Sequence, residues 1–225
     1  QDFMKAGLFD RAEAAWHALE GTSHDAQARL ALLSLYERSR DWVRAAEVAR
    51  QLESAQQGSF AQRVGHYECE LAEQADAQGR PEDAAAALQR ARAAAPGAAR
   101  PGVLTGQRLR RQGQDAAALQ AWDELRQANP AAFLLVAADY AASARACGHQ
   151  AEAHQALAEA LRTLPAVELL RALEQVEAAD APGRLTRLLE HLQQHPSLSA
   201  AQMLLDVPQA LWTDAAWAAL RDAVS

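Results

Sequence analysis

The stretch QGRPEDAAAALQRARAAAP, from Gln78 to Pro96, decides the fold because its spacing recurs along the chain. A glycine is followed after five positions by alanine, after four more by a large apolar residue, after three more by a small or apolar residue, and after five more by proline. Three copies share this series: Gly79, Ala84, Leu88, Ala91 and Pro96; Gly113, Ala118, Trp122, Leu125 and Pro130; and Gly148, Ala153, Leu157, Ala160 and Pro165. Successive copies are 34 and 35 residues apart, which is the period of tetratricopeptide repeats, each a pair of helices.

The positions of the series suit a pair of antiparallel helices. The glycine allows the positive φ at which a first helix ends, and Pro81 fits the first turn of the next helix, where an N–H is not needed. We expect Ala84 at the closest crossing of the two helices, where a larger side chain would force them apart. Pro96 should end the second helix. The remaining alanines, at 85–87 and 93–95, are expected to be less constrained.

Weaker copies flank the three clear ones. Two upstream half-repeats are 33 residues apart: Gly7, Phe9, Ala12, Trp16 and Leu19, and then Trp42, Ala45, Ala49 and Leu52. Downstream, Leu188 and Pro196 keep their positions, although Arg184 replaces the alanine. The segment QLESAQQGSF, residues 51–60, lengthens one spacing to 39 residues and is predicted to be a loop or an extended helix end.

These patterns predict an all-α fold. Half of the residues are apolar and only 5 % are aromatic, so alanine and leucine dominate, as in packed helices. Residues 1–196 are predicted to form about five tetratricopeptide helix pairs in a right-handed superhelical solenoid, with a truncated first pair and a degenerate last pair. Residues 197–225 are predicted to form C-terminal capping helices. Thr213 or Asp214 would cap the last one, and Trp212 and Trp217 would be packed in the core.

Charge and motifs exclude several functions. A formal net charge of −7 disfavours nucleic-acid binding, and Arg108, Arg110 and Arg111 are predicted to mark only a solvated helix face. The sequence has no apolar run of membrane-spanning length and no signal-peptide pattern. Cys69 and Cys147 lack C-x-x-C spacing and are expected to be reduced and buried. No phosphate-binding loop, nucleophile elbow or acid–base pair is present, so catalysis is not expected.

Two segments resemble a family of bacterial inner-membrane proteins. DFMKAGLFDRAEAAW, from Asp2 to Trp16, and GHYECELAEQ, from Gly65 to Gln74, resemble the cytoplasmic tetratricopeptide region of the lipopolysaccharide assembly protein B family. The resemblance covers residues 2–165 well and the remainder loosely. Members of the family carry an N-terminal membrane anchor and a C-terminal rubredoxin-like metal domain, and this sequence contains neither. We therefore expect a fragment that begins inside the first helix of the first repeat.

The resemblance implies a non-enzymatic adaptor that restrains lipopolysaccharide synthesis. The partners implied are the deacetylase that commits lipid A synthesis and a membrane-bound AAA+ protease to which it is presented. The full-length protein would lie at the cytoplasmic face of the inner membrane through its anchor, and iron or zinc would bind only in the rubredoxin-like domain. The fragment itself is expected to be soluble and without a cofactor. Two alternatives stay open: a generic tetratricopeptide scaffold of another envelope or secretion complex, and a repeat-containing enzyme or transferase accessory, which would need a catalytic domain outside these residues.

Partner binding is predicted on the concave face formed by the first helix of each pair. Counting back from the glycines places these side chains there: Glu37 and Arg38; His66, Cys69, Glu70, Glu73 and Asp76; Arg100, Gln107, Arg110 and Arg111; and Asp139 and Arg145. Acidic residues of one repeat would thus face basic residues of the next. Either these charges pair with one another, or Arg110 and Arg111 anchor carboxylates of a partner segment.

A metal site is not predicted. His66, Cys69 and Glu70 share one helical stretch, but a zinc site needs three or four converging ligands. His191 and His195 have the spacing of helical metal ligands but lack the glutamate of H-E-x-x-H and a third ligand. Both are therefore expected to be exposed.

Overall fold

The computed structural model describes residues 2–56, 58–177 and 181–224, and within these residues the chain is helical without any strand. The all-α prediction is confirmed. The chain divides into two compact units, Gln1–Thr105 and Gly106–Ser225. No helix in the described ranges is both long and apolar enough to cross a lipid bilayer.

The first unit is built from helix pairs. Its helices are α1 (Asp2–His17), α2 (Asp25–Ser39), α3 (Trp42–Ser54), α4 (Ala61–Ala77), α5 (Pro81–Ala94) and the first half of α6 (Ala99–Arg111). Gly79 has φ +68° between α4 and α5, and Arg80 N donates to Ala75 O at 2.9 Å, which completes a left-handed helix end. Arg40 takes the equivalent place between α2 and α3 with φ +56°. Both turns are short, so each pair is antiparallel.

The fold-deciding stretch packs as its spacing predicts. Pro81 begins α5, and Ala84, Leu88 and Ala91 are buried against residues of α4 that include Ala72. Two of the alanines expected to be less constrained are buried as well. Ala87 lies in the same core cluster, one turn after Ala84, and Ala95 is buried after the end of α5. That expectation was wrong for Ala87 because the face of α5 that meets α4 is wider than the repeat series alone marks. It was wrong for Ala95 because this residue packs against Gly65 of α4.

The second unit repeats the arrangement. It contains the rest of α6 and then α7 (Asp115–Ala128), α8 (Pro130–Phe133), α9 (Ala137–Cys147), α10 (Gln150–Thr163), α11 (Val167–Val176), α12 (Ala181–Gln194), α13 (Leu198–Leu205) and α14 (Asp214–Val224). Gly113 and Gly148 have φ +74° and +80° at the turns before α7 and α10. Ala118 and Ala153 are buried, each at the place that corresponds to Ala84. The fold class is therefore that of tetratricopeptide repeats.

The helices after Pro196 are those expected. Thr213 directly precedes α14, and its carbonyl accepts from Ala216 N at 3.0 Å, so Thr213 is the residue at the N-cap position. Trp212 packs against the core of this region and its indole lies 4.6 Å from that of Trp217. Trp217 is nevertheless 45 % exposed. The prediction of a fully packed Trp217 was wrong because α14 leaves one of its faces open.

Two further expectations differ from the structure. Helix α1 continues through Gly7 without a turn, so the most upstream copy is a single described helix and not the end of one helix and the start of another. His191 is buried, while His195 is exposed. His191 lies three residues after the buried Leu188, which places its ring on the core face of α12.

Candidate functional site

Four predicted site residues of the first unit meet in one cluster, which we call the Arg100 patch: His66, Glu70, Glu73 and Arg100. His66, Glu70 and Glu73 lie on one face of α4 because they are separated by four and three residues. Arg100 reaches them from the first turn of α6. The patch thus joins side chains of two successive repeats.

Arg100 holds the patch together through both of its terminal nitrogens. Its Nη1 lies 2.8 Å from His66 Nδ1, and its Nη2 donates to Glu70 Oε1 at 2.7 Å and also to Glu73 Oε2. Burial tends to lower the pKa of this guanidinium, but the bonds to Glu70 and the charges of both glutamates outweigh it and raise the pKa. The cation therefore sits between two carboxylates that neutralise it.

A second group of side chains adjoins His66 and connects α2 to α4. Glu37 accepts hydrogen bonds from the Tyr67 hydroxyl and, at 2.7 Å, from Arg63 Nη2. Burial acts to raise the pKa of Glu37, yet the bonds from Tyr67 and Arg63 prevail and lower it. Burial first, and then the bond to Glu37, raise the pKa of Tyr67 to about 12. Glu37 is therefore an ionised acceptor held in place by two donors.

An aromatic cluster supports this side of the patch. The ring of Trp42 stacks on that of Tyr67 with centroids 5.9 Å apart and planes 16° apart. The ring of His66 meets Trp42 edge-on at 6.0 Å and Tyr67 at 5.7 Å. Offset stacks and edge contacts of this kind favour fixed ring positions. The exposed His66 is thus presented on a rigid base.

The second unit has a charged cleft of about 500 Å³, lined by Gln107, Arg110, Arg111 and Asp139. Arg110 Nη1 on α6 donates to Asp139 Oδ1 on α9, so a basic side chain of one repeat again meets an acidic side chain of the next. Arg111 Nε lies 3.4 Å from the carbonyl oxygen of Gln107. Arg145 of α9 and Arg38 of α2 are exposed and make no described ion pair.

The predicted pairing of charges between repeats is therefore present in each unit. Glu70 and Glu73 pair with Arg100, and Arg110 pairs with Asp139. A partner that bound Arg100 would have to compete with two carboxylates, and each displaced glutamate would then need a cation. Both charged surfaces therefore favour segments that carry both signs of charge over purely acidic ones.

Two residues are not where the sequence placed them. Cys69 is buried in the core between α4 and α5, because it lies three residues before the core residue Ala72. Its predicted burial is confirmed, and its predicted place on the concave face was wrong. Burial raises the pKa of its thiol to about 11. Arg108, predicted on a solvated face with Arg110 and Arg111, is buried, with 9 % of its surface exposed. Within the described ranges, no three His, Cys, Asp or Glu side chains converge as metal ligands would.

Sequence reasoning missed one buried charge, Glu68. Its side chain is 1 % exposed on α4, on the face opposite the Arg100 patch. The signal was in the sequence, since Val64, Glu68, Ala72 and Ala75 are separated by four, four and three residues and so share one helix face. A buried glutamate in such an apolar series needs a cation within reach, and Arg50 and Arg90, whose side chains are about half exposed, reach it from two other helices.

Together these features define an all-α tetratricopeptide-repeat protein of the kind that serves as an interaction scaffold. No family model matches the chain. The chain is similar to lipopolysaccharide assembly protein B of Escherichia coli strain K12 and of strain O157:H7. In each case 31 % of 121 residues are identical, covering 53 % of this chain and 31 % of the relative. The chain thus spans about a third of the length of these curated relatives.

Solved structures of low similarity include further tetratricopeptide proteins. A thermophilic protein of Thermus thermophilus has 18 % identity over 78 % of this chain and 94 % of its own, with a TM-score of 0.36. The C-terminal part of a repeat protein from Cytophaga hutchinsonii has 13 % identity over 97 % of each chain, with a TM-score of 0.42.

Proposed function

We propose that the chain is the repeat region of a non-enzymatic adaptor in lipopolysaccharide assembly. The observation that supports this role is the 31 % identity over 121 residues to proteins named for lipopolysaccharide assembly. The repeat fold agrees with it, because stacked helix pairs offer extended surfaces for protein partners. In this proposal the adaptor brings the deacetylase that commits lipid A synthesis to a membrane-bound AAA+ protease.

We propose two separate recognition surfaces, one in each unit. The first is the Arg100 patch together with Glu37, and the second is the Arg110–Asp139 pair. In each, the arginine is already paired with carboxylates of the protein. A partner segment would exchange ion pairs with these side chains, supplying a carboxylate to the arginine and a lysine or arginine to the glutamates. This exchange keeps the number of ion pairs constant. It therefore selects among partner segments by their charge pattern and adds little to the binding affinity.

The test is binding of the purified deacetylase, measured by calorimetry, to the chain and to its Arg100→Gln variant. We expect the variant to bind about 10-fold more weakly. The matched control is Arg29→Gln, which removes an arginine paired with Asp25 on α2, outside the Arg100 patch, and should bind as the wild type does. Absence of deacetylase binding, together with an unchanged deacetylase half-life in cells that lack the gene, would refute the proposal.

A second candidate is a scaffold of another envelope or secretion complex. It is favoured by one fact, that the similarity covers only 53 % of this chain. In-cell crosslinking from a photoreactive residue at position 38, an exposed place on α2, separates the two. Capture of the deacetylase supports the first candidate, and reproducible capture of other envelope proteins without it supports the second.

A further inference from the structure

The two arginines that hold Glu68 form a second charged site in the first unit, on the other side of α4. Arg50 of α3 donates from Nη2 to Glu68 Oε1, and Arg90 of α5 donates from Nε to Oε2 at 3.0 Å. The Nη2 of Arg90 also lies 2.9 Å from Oε2 as an ion-pair contact. Glu68 lies two residues before Glu70, which corresponds to a rotation of about 200° around the helix axis. The Arg50–Glu68–Arg90 triad is therefore on the face opposite the Arg100 patch.

The triad has one positive charge in excess. Arg29, Arg63 and Arg80 of the same unit each meet a carboxylate of their own, and Arg100 meets two. Arg50 and Arg90 instead share one carboxylate. One arginine would suffice to neutralise Glu68, so the second leaves a local surplus on a protein whose net charge is −7.

Both arginines keep unused hydrogen-bond donors close to solvent. A guanidinium has five N–H donors, of which Arg50 and Arg90 each use one in a hydrogen bond to Glu68. Their side chains are 47 % and 53 % exposed, whereas Glu68 is 1 % exposed. The buried carboxylate of Glu68 thus holds both guanidinium groups in place, and their solvent-facing N–H groups are open to a ligand.

Arg50 and Arg90 also line two open clefts. One, of about 530 Å³, has an apolar wall formed by Ala61, Val64, Ala93 and Ala94. The other, of about 500 Å³, is also lined by apolar residues, Leu71 among them. A carboxylate outside the triad also lines each cleft. Glu53, in the first, accepts a hydrogen bond from Phe60 N. Asp83, in the second, pairs with Arg80. Each cleft therefore combines apolar walls with the exposed guanidinium edges of Arg50 and Arg90.

We propose that the Arg50–Arg90 face binds an acidic segment of a partner protein. An Asp or Glu carboxylate of that segment accepts hydrogen bonds from the free N–H groups of both arginines, and charge-assisted bonds of this kind are the strong ones. A neighbouring apolar side chain packs against Val64 and Ala94 in the adjoining cleft. The site is independent of the role proposed above, since it lies outside the Arg100 patch.

The test uses the complete chain and a blocked hexapeptide, Asp-Glu-Leu-Asp-Glu-Leu, with its Asn-Gln-Leu counterpart as the neutral probe. The acidic peptide is titrated into the protein while the arginine Nε–Hε signals are followed by NMR. The signals of Arg50 and Arg90 should shift, with a Kd of about 1 mM that rises with salt concentration. Arg50→Gln should weaken binding about 5-fold or more. Arg44→Gln is the matched control: it removes an equally exposed arginine from the same helix, away from both clefts, and should leave the Kd unchanged.

Each contrary result overturns the proposal. The first is that the signals of Arg50 and Arg90 do not shift at an acidic-peptide concentration of about five times the expected Kd. The second is that the neutral peptide binds equally well. The third is that Arg44→Gln loses as much affinity for the acidic peptide as Arg50→Gln does. Inorganic phosphate is titrated in parallel, and shifts as large as those with the peptide would show a simple anion site. If Arg50→Gln loses its helical circular dichroism, Arg50→Lys replaces it in the test. Lysine keeps the positive charge but lacks the forked donors of a guanidinium, so this variant should also bind the acidic peptide more weakly.

Discussion

Arg100 of α6 donates to Glu70 of α4 at 2.7 Å, across the boundary between two successive repeats. A double-mutant cycle with Arg100→Gln and Glu70→Gln should give a coupling energy of about 0.5 to 1 kcal/mol in urea unfolding, because both side chains are partly shielded from water. The exposed pair Arg80–Asp83, within one turn, serves for comparison and should give about 0.3 kcal/mol. Equal couplings for the two pairs would contradict the shielding of the Arg100 patch.

Ala84 tests the repeat series directly, because it is fully buried where α5 meets α4. Replacing it by leucine should lower the free energy of unfolding by about 1 to 3 kcal/mol, since the two helices have no room to separate without losing contacts. The neighbouring Ala85 is exposed on the same helix, and Ala85→Leu should change stability by less than about 0.5 kcal/mol. Urea unfolding of both variants measures the difference.

The repeat could be predicted from the sequence because its signals are local. Gly79, Gly113 and Gly148 adopt the left-handed conformation that the spacing required, and proline and alanine mark the second helix in each copy. The same logic failed at Gly7, since a glycine inside a helix is tolerated at a cost of about 1 kcal/mol and neighbouring residues decide whether the helix ends. Local pattern therefore specifies the repeat but not its exceptions.

Gly106 also lies inside a helix, α6, and here the reason is packing. A methyl group built on its Cα would overlap the indole of the fully buried Trp122 on α7. Although alanine favours the helix itself, Gly106→Ala should lower the free energy of unfolding by about 1 to 3 kcal/mol. Gly97→Ala provides the control, because an added Cβ there meets no atom within 4 Å. A more stable Gly106→Ala protein would show that the tryptophan can move at little cost.

The charged surfaces were only partly predictable. Helical spacing grouped His66, Glu70 and Glu73, and the repeat offset brought Arg100 to them. Helical spacing also places Glu68 on the apolar face of α4, but it does not identify the partners Arg50 and Arg90, which come from two other helices. Long-range contacts of this kind depend on which helix faces pack together. The partners of a buried charge are therefore visible only in the three-dimensional structure.

The two cysteines should react at very different rates. Cys69 is buried and burial raises its thiol pKa to about 11 from 9.0, which lowers its thiolate fraction at pH 8 about 100-fold relative to an exposed thiol. Cys147, which was expected to be buried, is only half-buried because it ends α9. Iodoacetamide should thus modify Cys147 first, as peptide mass spectrometry would show. In urea at about 6 M the two rates should converge, and equal rates in the folded protein would place Cys69 within reach of solvent.

His191 should make stability depend on pH. Burial, and then the nearby His195, lower its pKa below 6.5, so the folded protein binds this proton less readily than the unfolded chain does. The stabilisation is therefore complete above pH 6.5 and is lost as the pH falls toward the folded pKa. Urea midpoints should decrease from about pH 7.5 to about pH 5, and less steeply in His191→Gln than in the wild type. His24→Gln removes an exposed histidine and should keep the wild-type slope. If His191→Gln kept it too, the ring would be protonated equally in both states.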